Sequence, residues 1–275
     1  MSIEPDRIDN ALSDSEVRDM AETIKKKHGG KRIIVCVDVL QRLSGGHLRM
    51  HAYEKLLSDN HNLLVVSREE GLGEEKAGDT SSKVVLIERA IRNNARPQDE
   101  ENTSIEMRAA VEHINSKVSG AVDYEEVKSM SIKERLAFWL AADVLLLTSI
   151  REGLNLMPME FIYARKDEEN AGVIVASEFS TCSTLLNGAL KVNPFNVQLV
   201  TDQIGKALSM DLTERRNRRM RDIDFVSTHP SGKWTENILR DIAMFNQNQN
   251  QSHARSSRSN KIFPGYNTLS VCILT

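Results

Sequence analysis

The sequence predicts an α/β chain built on a doubly wound parallel sheet, and three observations carry that expectation. Short β-branched apolar runs recur at 32–38, 83–87, 143–149 and 173–177, with the length and composition of buried strands. Stretches with apolar residues at helical spacing lie between them. The links are mostly short and carry glycines or Ser-x-x-Glu helix starts. Strands alternating with helices predict a parallel sheet covered on both faces. Right-handed crossovers then align the C-terminal ends of the strands along one edge, where such sheets bind ligands.

The elements follow in order. Residues 13–16 form a capping-box start for a helix that Gly29 and Gly30 can end. The first strand, 32–38, is followed by Gly45 and Gly46, which open a helix carrying Leu48, Tyr53, Leu56 and Leu57. An apolar run at 63–66 precedes 69–82, rich in Gly, Glu and Ser, which reads as a surface loop. After the strand at 83–87, residues 93–102 are polar and turn-like. A helix with Ile105, Met107, Ala110, Val111 and Ile114 comes next. Ser131 and Glu134 start another helix, running to Ala142, ahead of the strand at 143–149. Strand 173–177, helix 181–187, short strand 189–192 and helix 197–210 complete the alternation. Trp234, Ile238, Leu239 and Ile242 describe a last amphipathic helix. Beyond Phe245 the composition turns to Asn, Gln, Ser and Arg. The expectation is one domain over 1–245 and a disordered tail over 246–275.

Composition narrows the function classes. The formal net charge is −3, which gives no reason to expect a nucleic acid or an anionic membrane as partner. No apolar run approaches the roughly 18–20 residues needed to span a bilayer. The first residues lack the basic and apolar regions of a signal peptide. Cys36, Cys182 and Cys272 are odd in number and without metal-site spacing, and Cys36 sits in a strand-like run as a buried free thiol. A reducing cytoplasm is the expected compartment. Seven histidines are scattered without ligand spacing, so no metal site is expected. The cluster Arg215, Arg216, Arg218, Arg219 and Arg221 reads as a solvated helix face.

One stretch carries a candidate site. Residues 151–160 read as a turn with Gly153 between a strand and a helix N-terminus, with Pro158 in the first turn, where a missing N–H costs nothing. Such a turn aims backbone N–H groups and a helix dipole at one spot, a seat for a phosphate-bearing ligand. Glu160 can face the same crevice and accept sugar hydroxyls. Taken alone, the pattern also fits an ordinary strand–glycine–helix connection.

Residues 143–160 resemble the donor-sugar motif of the trehalose-6-phosphate synthase family, usually A-D-x-x-x-x-T-x-x-R-D-G-M-N-L-x-x-x-E. The similarity continues through 172–179, 186–189 and 192–196 and ends near Val226 and Trp234. It implies a Rossmann-like domain, the C-terminal half of a GT-B fold, from a retaining glycosyltransferase. That family moves glucose from UDP-glucose to glucose 6-phosphate without a metal or other cofactor. Residues 3–7 resemble the start of the family's second half, so the half holding the acceptor lies outside this sequence. By the same resemblance Gly153, Asn155, Leu156 and Met157 hold the donor sugar and diphosphate, and Glu160 takes the ribose hydroxyls. Glu152 is the candidate catalytic side chain, in place of the family's Asp that bonds the glucosyl hydroxyls.

The chain departs from the family upstream. Where the family reads G-V-D-R-L-D-Y-x-K-G, residues 36–45 put Val39 and Ser44 at the phosphate-binding Arg and Lys positions. Loss of one such contact typically costs on the order of 3 kcal/mol of transition-state stabilisation. Arg42 is the nearby cation that could substitute. Two functions follow from the resemblance. One is a trehalose-phosphate synthase domain, UDP-forming, inactive until a partner chain supplies the acceptor half. The other is a non-catalytic regulatory or scaffold subunit of a trehalose-synthesis complex that binds UDP-glucose.

Overall fold

The computed structural model describes residues 3–66 and 80–256. The chain runs α1 (Pro5–Leu12), α2 (Ser15–Lys27), β1 (Arg32–Val39), α3 (Gly46–Asp59), β2 (Leu64–Val66), β3 (Thr80–Ser82), β4 (Val84–Ile91), α4 (Pro97–Lys117), β5 (Val122–Val127), α5 (Ile132–Ala141), β6 (Val144–Leu147), α6 (Met157–Ala164), β7 (Val173–Ser177), α7 (Thr181–Leu185), β8 (Leu190–Val192), α8 (Val197–Ser209), α9 (Leu212–Thr228) and α10 (Ser231–Ser256). Six strands form one sheet in the order β5-β4-β1-β6-β7-β8, every pair parallel. Counted within that sheet the order is third, second, first, fourth, fifth, sixth, as in doubly wound dinucleotide-binding folds. The expected fold class is therefore observed. Its switch point, where ligands bind in such sheets, lies between β1 and β6.

Side-chain alternation builds two cores. Ile33, Val35 and Val37 of β1 point to the face covered by α2, α5 and α6, where Trp139 meets Phe161 edge-on. Ile34 and Cys36 point to the other face, covered by α3, α4 and α8 through Tyr53, Met107 and Ile204. Because both faces are covered, β1, β6 and β7 are apolar at nearly every position. Cys36 is a free, buried thiol, and burial pushes its pKa up.

Several expectations are corrected. The apolar run ending at Val66 does not join the main sheet: β2 pairs antiparallel with β3. Thus Thr80–Ser82, expected as loop, is strand, because pairing with β2 satisfies its backbone; residues 67–79 lie outside the described residues. The turn-like 93–102 is shorter than expected, since Pro97 already starts α4. β5 was not expected at all. Its Asp123, Glu125 and Glu126 hide the strand pattern, yet remote cations neutralise them: Lys27 and Arg89 on Asp123 (2.6 and 3.1 Å), and Arg92 and Arg108 on Glu126 (2.9 and 2.8 Å).

The arginine cluster on α9 is a solvated face only in part: Arg216 and Arg221 are exposed, and Arg215, Arg218 and Arg219 are not. Arg215 is buried and donates to the carbonyls of Ala207, Leu208 and Met210 at the end of α8, and to that of Asp143. Arg218 donates to Gly188 O and Arg219 to Arg165 O and Glu168 O. Guanidinium groups with five donors complete helix ends that lack partners. The helix α10, a separate unit from Ser231 on, continues through Ser256 into the expected tail. Asn and Gln weaken a helix without breaking its hydrogen bonds. Residues 257–275, the rest of that tail, lie outside the described residues. Among the described residues no helix is long and apolar enough to cross a membrane.

Candidate functional site

At the switch point a crevice of about 400 Å³ opens over the C-terminal ends of β1 and β6. Val37, Asp38 and Val39 line it from β1, Glu152, Leu154, Asn155 and Leu156 from the loop after β6, Met157 and Glu160 from α6, and Arg135 from α5. The structure thus brings together Glu152, Asn155, Leu156, Met157 and Glu160. These residues meet because one short loop and one helix turn contain them all.

The polar groups of that loop bond one another. Ser149 Oγ and Asn155 Nδ2 each donate to the Glu152 carboxylate at 3.0 Å. Asn155 Oδ1 accepts the Met157 N–H, the first of α6, at 2.9 Å. Of the amides after Gly153, Met157 N–H is taken, while those of Leu154, Asn155 and Leu156 have no acceptor among the described residues. Pro158 has no N–H, and Glu160 N–H donates to Leu156 O at 2.9 Å. That leaves Met159 N–H as the first-turn amide without an acceptor among the described residues. Gly153 is exposed, outside the crevice lining, and in ordinary φ space; a Cβ there would meet nothing within 4 Å. The turn does not require glycine for its own geometry.

Glu160 is held by a residue that sequence reasoning missed. Arg135 donates Nε and Nη2 to its two carboxylate oxygens, each at 3.1 Å, and Trp139 Nε1 reaches Oε2 at 3.4 Å. Arg135 Nη1 donates to Met130 O. The available signal was the Ser131–Glu134 capping box, which fixes the start of α5 and so places Arg135 at the end of its first turn. Arg42 does not replace the missing cations. It is exposed and paired with Glu106 of α4 at 2.8 Å. Ser44 turns its hydroxyl to Val39 O at 2.7 Å.

Below the crevice lies a buried charge trio, also missed. Arg49 is 0 % exposed and its fork grips Glu88, Nε to Oε2 at 2.9 Å and Nη2 to Oε1 at 2.5 Å. Its Nη1 donates to Thr148 Oγ1 and lies 2.9 Å from Asp38 Oδ2, an ion-pair contact without hydrogen-bond geometry. Asp38 Oδ2 therefore has no hydrogen-bond partner among the described residues. The Asp38 pKa is raised to about 7, by burial first and by Glu88 and Glu152, against the pull of Arg49. Two of the trio, Asp38 of β1 and Glu88 of β4, are charged residues inside otherwise apolar strands.

Beside the crevice, Leu154, Phe179 and Phe195 are exposed, Phe195 at 60 %, and the two phenylalanine rings lie 6.2 Å apart. Phe179 precedes Ser180, whose backbone bridges to Glu152. Among the described residues no group of three or more His, Cys, Asp or Glu is placed to hold a metal ion.

Residues 1–244 match the model of glycosyltransferase family 20. The alpha,alpha-trehalose-phosphate synthase (UDP-forming) of Schizosaccharomyces pombe is 27 % identical over 266 residues, covering 95 % of this chain and 47 % of its own length. The chain thus spans about half of that curated relative. A crystal structure of an alpha,alpha-trehalose-phosphate synthase (UDP-forming) from Burkholderia xenovorans with glucose-6-phosphate superposes with a TM-score of 0.77 at 24 % identity. It covers 88 % of this chain and 50 % of that one. The N-terminal domain of Candida albicans trehalose-6-phosphate phosphatase superposes with a TM-score of 0.73 at 23 % identity, covering 89 % and 48 %.

Proposed function

Because the chain belongs to glycosyltransferase family 20, we propose that it is the nucleotide-sugar half of a trehalose-phosphate-synthase-like protein, recognising UDP-glucose without completing glucosyl transfer alone. The observation that carries this reading is the convergence of Glu152, Asn155 and Glu160 on one crevice at the switch point of the sheet. Carboxylates and an amide are acceptors and donors suited to sugar hydroxyls. Transfer needs more. A departing UDP must be stabilised by cations or amides aimed at the developing charge. Val39 and Ser44 supply no cation, and Arg42 is turned to Glu106. These features favour a binding or regulatory role over an autonomous enzyme. The exposed aromatic pair beside the crevice offers a surface for a chain carrying the acceptor half.

UDP-glucose at a hundredfold excess over its Kd is expected to add about 2.7 kcal/mol of stability. That corresponds to a rise in melting temperature of roughly 5–10 °C for a chain of this size. Glu160→Ala is expected to abolish the rise. A thermal-shift titration reads both, and no shift in the unaltered protein at millimolar UDP-glucose would overturn donor recognition. With glucose 6-phosphate added, no UDP release is expected from the purified chain. A coupled UDP assay showing sustained turnover would return the chain to the enzymes.

A further inference from the structure

We infer that the groove between α2 and the edge strand β5 takes an extended segment of a partner protein, with lysine or arginine at alternate positions. Two independent observations meet there: an unpaired strand edge, and beside it a groove with an apolar floor and an acidic rim. β5 is the outermost strand of the sheet and pairs with β4 alone among the described residues. Leu86 N–H donates to Ala121 O and Arg92 N–H to Val127 O, so the odd-numbered residues of β5 turn their backbone groups to β4. Val122, Tyr124 and Glu126 turn theirs outward. At Val122 the Asn115 side chain completes both groups, accepting from the N–H and donating to the C=O, each at 2.9 Å. The N–H and C=O of Tyr124 and Glu126 have no partner among the described residues. An extended chain laid beside β5 completes them, as in strand addition to a sheet edge.

The side chains decide which chain fits. Every second side chain of an added strand enters the groove, a space of about 550 Å³ walled by α2, β5 and α5. Its floor is apolar, with Met20 of α2, Val127 of β5 and Phe138 of α5. Its rim is acidic. The Asp19 carboxylate is exposed and has no partner among the described residues. The Glu125 side chain is 61 % exposed and meets Arg89 at 3.3 Å. Glu16 and Glu134 are already taken, by Lys133 and by the cap of α5. Arg89 is the one cationic side chain in the lining, and it is committed. It is buried, paired with Asp123 at 3.1 Å, and lies over the Phe138 ring. A lysine or arginine suits both parts of this groove, its stem covering Met20 and Phe138 and its charged head reaching Asp19 or Glu125. A carboxylate in the same place meets like charge, which also disfavours a second copy of β5 itself.

The probe is a peptide of alternating lysine and valine, as long as β5 and blocked at both ends, titrated into the full chain by isothermal titration calorimetry. It is expected to bind, more weakly as salt is added, and the same peptide with glutamate for lysine is expected not to bind. On binding, hydrogen exchange read by NMR is expected to slow at least about tenfold at the Tyr124 and Glu126 amides. The Asp19→Asn, Glu125→Gln variant, checked for folding by circular dichroism, is expected to bind the lysine peptide at least about tenfold weaker. Equal binding of the two peptides, or unchanged affinity in the folded variant, would overturn the basic character of the partner and with it the inference. No binding at millimolar lysine peptide, or binding that leaves the Tyr124 and Glu126 amides unprotected, would overturn the groove and edge as its seat.

Discussion

Replacing Arg49 by methionine is expected to destabilise the fold by about 3–5 kcal/mol, the cost of leaving buried charge without its partner. Arg49 is wholly buried and serves two carboxylates at once, Glu88 by a fork and Asp38 by a 2.9 Å ion-pair contact. Methionine matches much of its volume, so the loss is electrostatic rather than a cavity. Either carboxylate must then take a proton or pull water beneath the sheet. The Asp38→Asn, Glu88→Gln, Arg49→Met triple variant is expected to recover most of the loss, because no unpaired charge remains. Urea denaturation monitored by circular dichroism measures both. A single-variant loss under about 1 kcal/mol, the size of a surface ion pair, would show that the trio is not what holds the switch point. The protein also carries a pH signature. Asp38 has a folded pKa near 7 against an ordinary carboxylate value of 3.8, so between those values the folded chain keeps a proton that the unfolded chain releases. Its contribution to stability therefore falls as pH rises from about 4 to 7 and is constant above. Asp38→Asn is expected to remove that slope.

Gly45→Ala is expected to destabilise the fold by about 4 kcal/mol or more, the range of the most damaging single substitutions. Gly45 has φ 70°, and an added Cβ would lie 2.0 Å from the Thr148 carbonyl oxygen. Backbone cannot yield there as a flexible side chain would. Gly45 O accepts from Thr148 Oγ1 and from Arg49 N–H, both at 3.1 Å, while Ile150 N–H donates to Leu43 O at 2.8 Å. These bonds join the loop after β1 to the end of β6, so pushing them apart opens the crevice floor. Gly153→Ala is the control: its Cβ would meet nothing within 4 Å, and little change in stability is expected. Equal denaturation midpoints for the two alanine variants would sink the argument.

Much of the fold was legible because its signals are local. The apolar runs that became β1, β4, β6 and β7 announce a covered parallel sheet, and the Ser131–Glu134 box announces α5. The candidate site was legible for the same reason. Glu152, Asn155 and Glu160 fall within nine residues of one loop and helix start, so local geometry alone keeps them together. Resemblance to a family then assigned them roles that spacing could not.

What stayed hidden depends on partners far away in the chain. β5 reads as acidic coil until Lys27, Arg89, Arg92 and Arg108 neutralise its carboxylates. Arg215, Arg218 and Arg219 of α9 read as solvated until the carbonyl ends of neighbouring segments come within reach. Arg135 reaches Glu160 across 25 residues, and Arg49 reaches Glu88 across 39, only because α5 and α3 cover opposite faces of one sheet. The sequence by itself determined the apolar strands β1, β4, β6 and β7 and the helices with clear starts, since hydrophobic period and capping act between near neighbours. The tertiary structure alone decided which charges meet. Coulombic and hydrogen-bond energies depend on distance through space, and sheet order sets that distance.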